Sequence, residues 1–406
     1  MDAPAPGGEG GRRMRRWTWI IGLCAVLLWL ASEAAAEPYI AVREGYKCSA
    51  CHINMTGGGM RTSFVSAHAR EILHYPDWFA RLTKPADSFS GEVNQYVGLG
   101  ADLRTSVTLI MQDQGTSGQV KNDKAFRWTL QETDLSVDEA VGYLNVNLIP
   151  DLLTFYLDER FAPSVDTREV FGMLSLPWDL YAKAGMMFLP YGLQIQDDNA
   201  FIRGGRNGSA TSGFSFFVSQ PAFEAGWEPG PVSITAAVSQ GAVNDRDVQL
   251  TGTAYSMFTE LPIVRNVLAG LSGSYAGGGP ETSLVGLFTG FNLGRFSYLG
   301  EVDFRHDNVT NPTSGGKQGV GTFMTYSEGN YLAFDWLNVK AAFDYADWDG
   351  TLPRQGSDAE NRVSVGLEPF LAKFVQVRAF YRVSNGIRTN FSHNQGLWYA
   401  EVHVFF

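Results

Sequence analysis

The residues most able to do chemistry are Cys48-Ser49-Ala50-Cys51-His52. Two thiols separated by two residues can add across the two vinyl groups of a porphyrin, and a histidine directly after the second then falls under the iron. The motif therefore predicts one covalently attached haem c, with Cys48 and Cys51 as thioether donors and His52 as proximal iron ligand. A redox-active disulfide, or a zinc site completed by His68 and His74, would leave the histidine directly after Cys51 unexplained. For the sixth iron position the nearby candidates are Met60, His68 and His74. Their spacing favours His68, so the expected metal ligands are His52 and His68. Met60 is the main alternative, and the choice bears on potential because methionine ligation raises it.

These residues need an exported segment to carry them. Arg12, Arg13, Arg15 and Arg16 precede the apolar run Trp17 to Ala31, and Ala34-Ala35-Ala36 offers a cleavage site, so residues 1–36 read as a signal peptide. Residues 37–89 form a short monohaem cytochrome c segment. Within it Met60 to Tyr75 reads as a helix that begins after Thr56-Gly57-Gly58-Gly59 and stops at Pro76, placing Met60, Phe64 and His68 on one face. The glycines serve either as a turn or as a close approach to the porphyrin. A segment this short builds no core of its own around a haem, so something else must cover it.

Residues 90–406 supply the cover. Apolar and polar residues alternate between Gly, Asn, Asp and Pro breaks. In the last segment Trp398, Ala400, Val402, Val404 and Phe406 share one face, while Tyr399, Glu401 and His403 share the other. Strands fall near 91–111, 125–149, 152–161, 168–176, 180–190, 213–227, 232–240, 248–258, 267–276, 282–293, 295–305, 319–332, 338–347, 361–368, 374–383 and 396–406. Long connections follow the first, fifth, eleventh, thirteenth and fifteenth, and most of the rest are short. Segregated loop lengths and an even strand count describe a transmembrane β-barrel, with lipid on the apolar face and water on the charged one. The expected fold is thus all-β, a barrel of about sixteen strands with a short N-terminal α-helical haem segment. In 125–149 the apolar parity flips between Leu130, Val137 and Leu144, the mark of a bulge or an extra hairpin. Tyr331, Trp336, Trp348, Phe370, Phe374 and Trp398 sit where interfacial girdles would lie.

A formal net charge of -11 excludes nucleic acid as a partner, because phosphate binding runs on a basic surplus. The leader, the single haem motif and a barrel ending in Phe406 resemble the fused monohaem cytochrome-porins of iron-oxidising bacteria. Leu189-Pro190-Tyr191-Gly192-Leu193 is similar to the strand end and loop start of anion-type porins. The first resemblance implies an outer-membrane electron conduit that takes electrons from extracellular Fe(II) to a periplasmic c-type cytochrome or similar carrier. The haem segment would lie at the periplasmic side or inside the lumen. The alternatives are a conduit running outward or serving another donor, and a diffusion porin with an accessory haem domain. Asp197, Asp198, Asp245, Asp247, Asp347 and Asp349 fall in predicted outer loops, where carboxylates would gather divalent cations, and His306 and His393 are weaker candidates there.

Overall fold

A computed structural model describes residues 37–56, 58–78, 81, 89–113, 128–195, 197, 199–203, 214, 219–230, 232–240, 253–264, 266–277, 281–310, 316–347, 359–385 and 395–406. The proposed leader, together with Asp198, Asp245, Asp247, Trp348, Asp349 and His393, lies outside them.

Sixteen long antiparallel strands close on themselves. They are β2 (Val97–Asp113), β3 (Trp128–Ile149), β4 (Leu153–Ala162), β5 (Asp166–Leu176), β6 (Leu180–Met187), β7 (Gln220–Trp227), β8 (Ser233–Gln240), β9 (Thr253–Val264), β10 (Val267–Ala276), β11 (Glu281–Leu293), β12 (Phe296–Thr310), β13 (Lys317–Phe334), β14 (Leu337–Asp347), β15 (Glu360–Ala372), β16 (Val375–Asn385) and β17 (Gln395–Phe405). A three-residue strand, β1 (Glu92–Asn94), folds back on the start of β2. Each barrel strand pairs with its neighbours in sequence, and β17 pairs with β2, Gln395 opposite Gln112 through Phe405 opposite Asp102. Closure leaves no free edge, which a hydrocarbon environment demands. Among the described residues no helix is long and apolar enough to cross a membrane.

The pattern of burial is inverted relative to a soluble protein. Leu135, Val285, Phe304 and Val365 face outward and are exposed, whereas Glu139, Asp158, Lys183, Glu224, Glu301 and Asp303 face the lumen and are buried. This is the arrangement of a barrel whose outer face meets lipid.

β3 explains the parity flip near Leu130. Its register against β2 shifts twice, skipping Gln131 and Asp138, so the two bulges return Leu130, Leu135 and Leu144 to one outward face. Seven turns, those after the odd-numbered strands from β3 to β15, span at most five residues. The opposite end carries the long connections, and both chain ends of the barrel lie with the short turns. The strands following 187 and 240 start later than the alternation suggests, at Gln220 and Thr253.

Candidate functional site

The N-terminal segment lies inside the barrel. Helix α1 (Pro38–Glu44) begins on a proline and stops at Gly45, whose left-handed backbone directs its N–H to the Ala41 carbonyl at 2.8 Å. Tyr39, Ile40 and Val42 of α1 pack with Ile72 and Leu73 on inward-facing barrel residues such as Leu268, Phe288 and Leu299. Helix α2 is the single turn Cys48–Cys51, and α3 is Ser63–Leu73. The apolar stripe of α3, Val65, Ala69, Ile72 and Leu73, faces the same lumenal core. The barrel thus provides the walls that the segment lacks.

A tight hairpin ties α2 to α3. The Ile53 amide donates to the Met60 carbonyl and the Thr62 amide to the Cys51 carbonyl, both at 3.0 Å, and His52 bridges Arg61 in antiparallel register. Gly58 and Gly59 turn the chain with φ of 76° and 65°. A methyl group on Gly59 would sit 2.3 Å from the Tyr156 hydroxyl of β4. The glycines therefore make both a turn and a close approach, and the surfaces approached are the barrel wall at Gly59 and Gln194 at Gly58.

His52 is buried, with its Nδ1 3.4 Å from the Gly59 carbonyl. Burial, assisted by the Arg61 guanidinium, pulls its imidazole down to about 4, so it is neutral at physiological pH, the form that ligates metal. Burial also pushes the Cys51 thiol up. Two cavities flank α2. One, about 860 Å³, opens at the short-turn end between Ser49, Ala50 and Met55 of the segment and Asp179, Glu228 and Gly230 of the rim. The other is narrow, about 90 Å³, and is bordered by Cys51, His52 and Arg61 with apolar walls from Val65, Leu193 and Phe405. The narrow cavity alone is too small for a porphyrin, since ligand pockets run to several hundred Å³. It shares the lining residues Ala41, Lys47 and Leu268 with the wide one. The thiol-histidine motif, the neutral imidazole and the apolar walls together fit a covalent haem.

The sixth-ligand candidates separate. α3 starts at Ser63, so Met60 belongs to the hairpin and not to the helix, and the expected face of Met60, Phe64 and His68 does not form. Met60 packs into the wall with Tyr143 and Tyr156, its methyl 4.0 Å from where a Gly91 side chain would begin. Phe64 and His68 do share a face, their rings 4.5 Å apart, and the His68 Nδ1 lies 3.0 Å from the Phe64 carbonyl. Neither Met60 nor His68 borders the narrow cavity of Cys51 and His52. α3 also ends earlier than expected, at Leu73, because His74 takes the left-handed conformation that caps it. His74 lies near Arg43, and burial lowers its imidazole.

Two polar anchors missed by the sequence reading fix what fills the lumen. Asn54 donates to both carboxylate oxygens of Glu169 at 3.2 Å and accepts from Lys183 at 3.0 Å and from Thr56 at 3.1 Å. Its amide is fully used. Lys183, wholly buried, also pairs with Glu224 at 3.0 Å. The second anchor holds the chain that leaves β6. Tyr191 donates to Asp303 at 3.1 Å, and Arg203 reaches Glu301 at 2.6 Å. Leu189-Pro190-Tyr191-Gly192-Leu193 thus turns inward, and Phe214 stacks on Tyr191 at 4.5 Å inside the lumen instead of starting a strand.

Several surface expectations need correction. Asp197 is no outer-loop ligand: it is paired with Arg382 in the lumen. His306 stands on β12 and not in a loop. Phe370 and Phe374 are buried against the lumenal core, whereas Tyr331 and Trp398 are exposed as a girdle requires.

No protein-family profile matches the chain, and no curated protein sequence does. Solved structures do. The outer membrane channel DcaP of Acinetobacter baumannii superimposes with a TM-score of 0.57 at 12% identity, over 76% of this chain and 97% of that one. OmpT, an outer membrane protein of Vibrio cholerae, gives 0.56 at 10% identity over 78% and 99%. An anion-selective porin from Comamonas acidovorans gives 0.53 at 12% identity over 76% and 99%. The likeness is one of fold. With the apolar exterior and closed sheet, it makes this chain a porin-like barrel of the outer membrane.

Proposed function

We propose that the chain is an outer-membrane electron conduit, a porin-like barrel whose lumen holds one c-type haem attached to Cys48 and Cys51 with His52 on the iron. The observation that carries this reading is the seating of the haem motif inside the barrel, where strands and plug helices together wall the cavities around α2. An outer membrane presents an apolar band roughly 25 Å tall, and a redox centre within the lumen divides that distance. When bound, haem supplies one-electron exchange between Fe(II) and Fe(III) states. His52 would hold the iron as a neutral donor. The hairpin at Gly58 and Gly59 fixes its height in the barrel, and the plug excludes water from the apolar side of the site. His68, or alternatively Met60, is the residue proposed to supply the second protein ligand that would hold the iron. The proposed electron donor is extracellular Fe(II), and the proposed acceptor is a periplasmic c-type cytochrome or similar carrier at the short-turn mouth.

A second reading is a diffusion porin with an accessory haem. It is supported by the porin character of the structural neighbours and by a polar lumenal cavity of about 550 Å³ lined by Arg104, Arg382, Glu328 and Tyr399. One preparation separates the two. Protein reconstituted in liposomes is given Fe(II) outside and oxidised cytochrome c inside. Reduction of the inner cytochrome by wild-type protein, and none by a Cys48→Ala, Cys51→Ala form, is the expected result. Equal ion conductance of the two forms with no electron transfer by either would establish the porin reading.

A further inference from the structure

We propose that Arg61 is the residue that receives the carboxylate groups of the bound haem, with Arg104 behind it supplying a second unspent positive charge. This role rests on the haem reading above. Arg61 borders the same narrow cavity as Cys51 and His52, and the antiparallel bridge holds it opposite His52. Its guanidinium lies 3.8 Å from the centre of the Phe405 ring, a contact made through its face, which holds the planar group without using its N–H donors.

The charge count around it does not close. Asp102 stands 3.8 Å from the Arg61 Nη1 and 3.4 Å from the Arg104 Nε, and its Oδ2 already lies 3.0 Å from the His403 Nε2. One carboxylate thus faces two guanidinium groups, neither at good hydrogen-bonding distance. Of the other nearby carboxylates, Glu401 is engaged by Arg378 at 2.6 Å, and Glu139 and Asp158 face Arg168. As a result the Arg61 Nη1 and the Arg104 Nε and Nη2 are buried with no hydrogen-bond acceptor among the described residues. The side chains are 12% and 1% exposed, so water does not readily replace the missing acceptor. Buried cationic donors without acceptors are costly, and a planar carboxylate is the group that a guanidinium fork fits best. A haem carries two such groups as its propionates. A free small carboxylate or phosphate shares that chemistry.

The test is spectroelectrochemical titration of the purified holoprotein in detergent. A positive charge beside the haem opposes oxidation of the iron, so Arg61→Gln should retain covalent haem but lower the reduced-to-oxidised ratio at a fixed poise about tenfold, equivalent to 59 mV for one electron. Arg61→Lys should restore most of the shift. Asp102→Asn frees both guanidinium groups and should move the ratio the opposite way, a sign that simple loosening of the plug does not predict. Should Arg61→Gln fail to fold, Asp102→Asn decides: a rise supports the role, and an unchanged titration overturns it. A folded, haem-loaded Arg61→Gln protein that titrates like wild type also overturns it. A wild-type potential that follows added acetate or phosphate would assign the site to free anions instead. Absence of denaturation-resistant haem from the wild type would remove the underlying reading, and that is seen before any variant is made.

Discussion

Gly59 shows how one residue fixes the height of the haem motif in the lumen. Its φ of 65° places it where a side chain costs roughly 1–2 kcal/mol, and its Cα faces the Tyr156 hydroxyl that receives the Met60 amide at 2.9 Å. Gly58 has a similar φ of 76°, yet the atom a methyl would meet is the mobile end of Gln194 at 3.0 Å. Gly59→Ala should therefore loosen the hairpin more than Gly58→Ala, since only the former collides with the wall. Hydrogen exchange across residues 52–62 measures the difference. Equal exchange in the two variants would mean that the wall contact does not hold the hairpin. The Cys48–His52 motif stood out in sequence, because the proposed haem attachment would fix both spacing and residue type. Arg61 was not singled out, although the glycine run two residues earlier signals a reversal that brings the chain back beside His52. A turn identified only as a turn does not say which side chain it returns.

Among the elements, the junction between plug and barrel turns on Asn54 and Lys183. Asn54→Ala removes four hydrogen bonds from the plug while leaving the Lys183–Glu224 pair in place, and should weaken plug docking by about 1–3 kcal/mol with the barrel intact. Lys183→Met leaves Glu224 and Glu169 buried without their shared cation and should cost about 3–5 kcal/mol, now from the barrel wall as well. Protease protection of residues 37–75 reports the first effect, and heat-modifiable electrophoretic migration of the barrel reports the second. Identical behaviour in both assays would show that plug and wall are one cooperative unit. The strands were readable because each presents lipid on one side: Val363, Val365 and Leu367 alternate with Arg362, Ser364 and Glu368, and the structure exposes the first set and buries the second. Even the bulges of β3 left a parity signature. The inner anchors were not readable, because period-two alternation gives the face of a charge but not its partner across the lumen. Phe214 misled for the same reason, since an apolar residue in an inward-folded connection scans like the start of a strand.

At the scale of the whole molecule, the asymmetry of the barrel gives the plug a direction. The wide cavity beside α2 opens among the short turns that hold Asp179 and Gly230, and both ends of the barrel chain lie on that side. Outer-membrane barrels keep short turns in the periplasm, so the Cys48–His52 motif lies toward the periplasmic mouth and the long connections face the medium. A tag inserted at Asp245, in the connection between β8 and β9, should react with an impermeant reagent on intact cells. A tag at Asp179 should react only after the outer membrane is opened. The same experiment bears on electron flow. If Asp179 were labelled from outside, the wide mouth beside α2 would meet the medium, an extracellular donor would reach the haem at once, and the long step would lie on the inner side. With Asp179 hidden, the long step of the proposed electron path would lie between the outer surface and the plug, across the polar cavity of Arg104, Arg382 and Tyr399. Substitutions there at Arg382 or Tyr399, away from the proposed haem-carboxylate site, should then slow oxidation of extracellular Fe(II) without changing reduction from the periplasmic side.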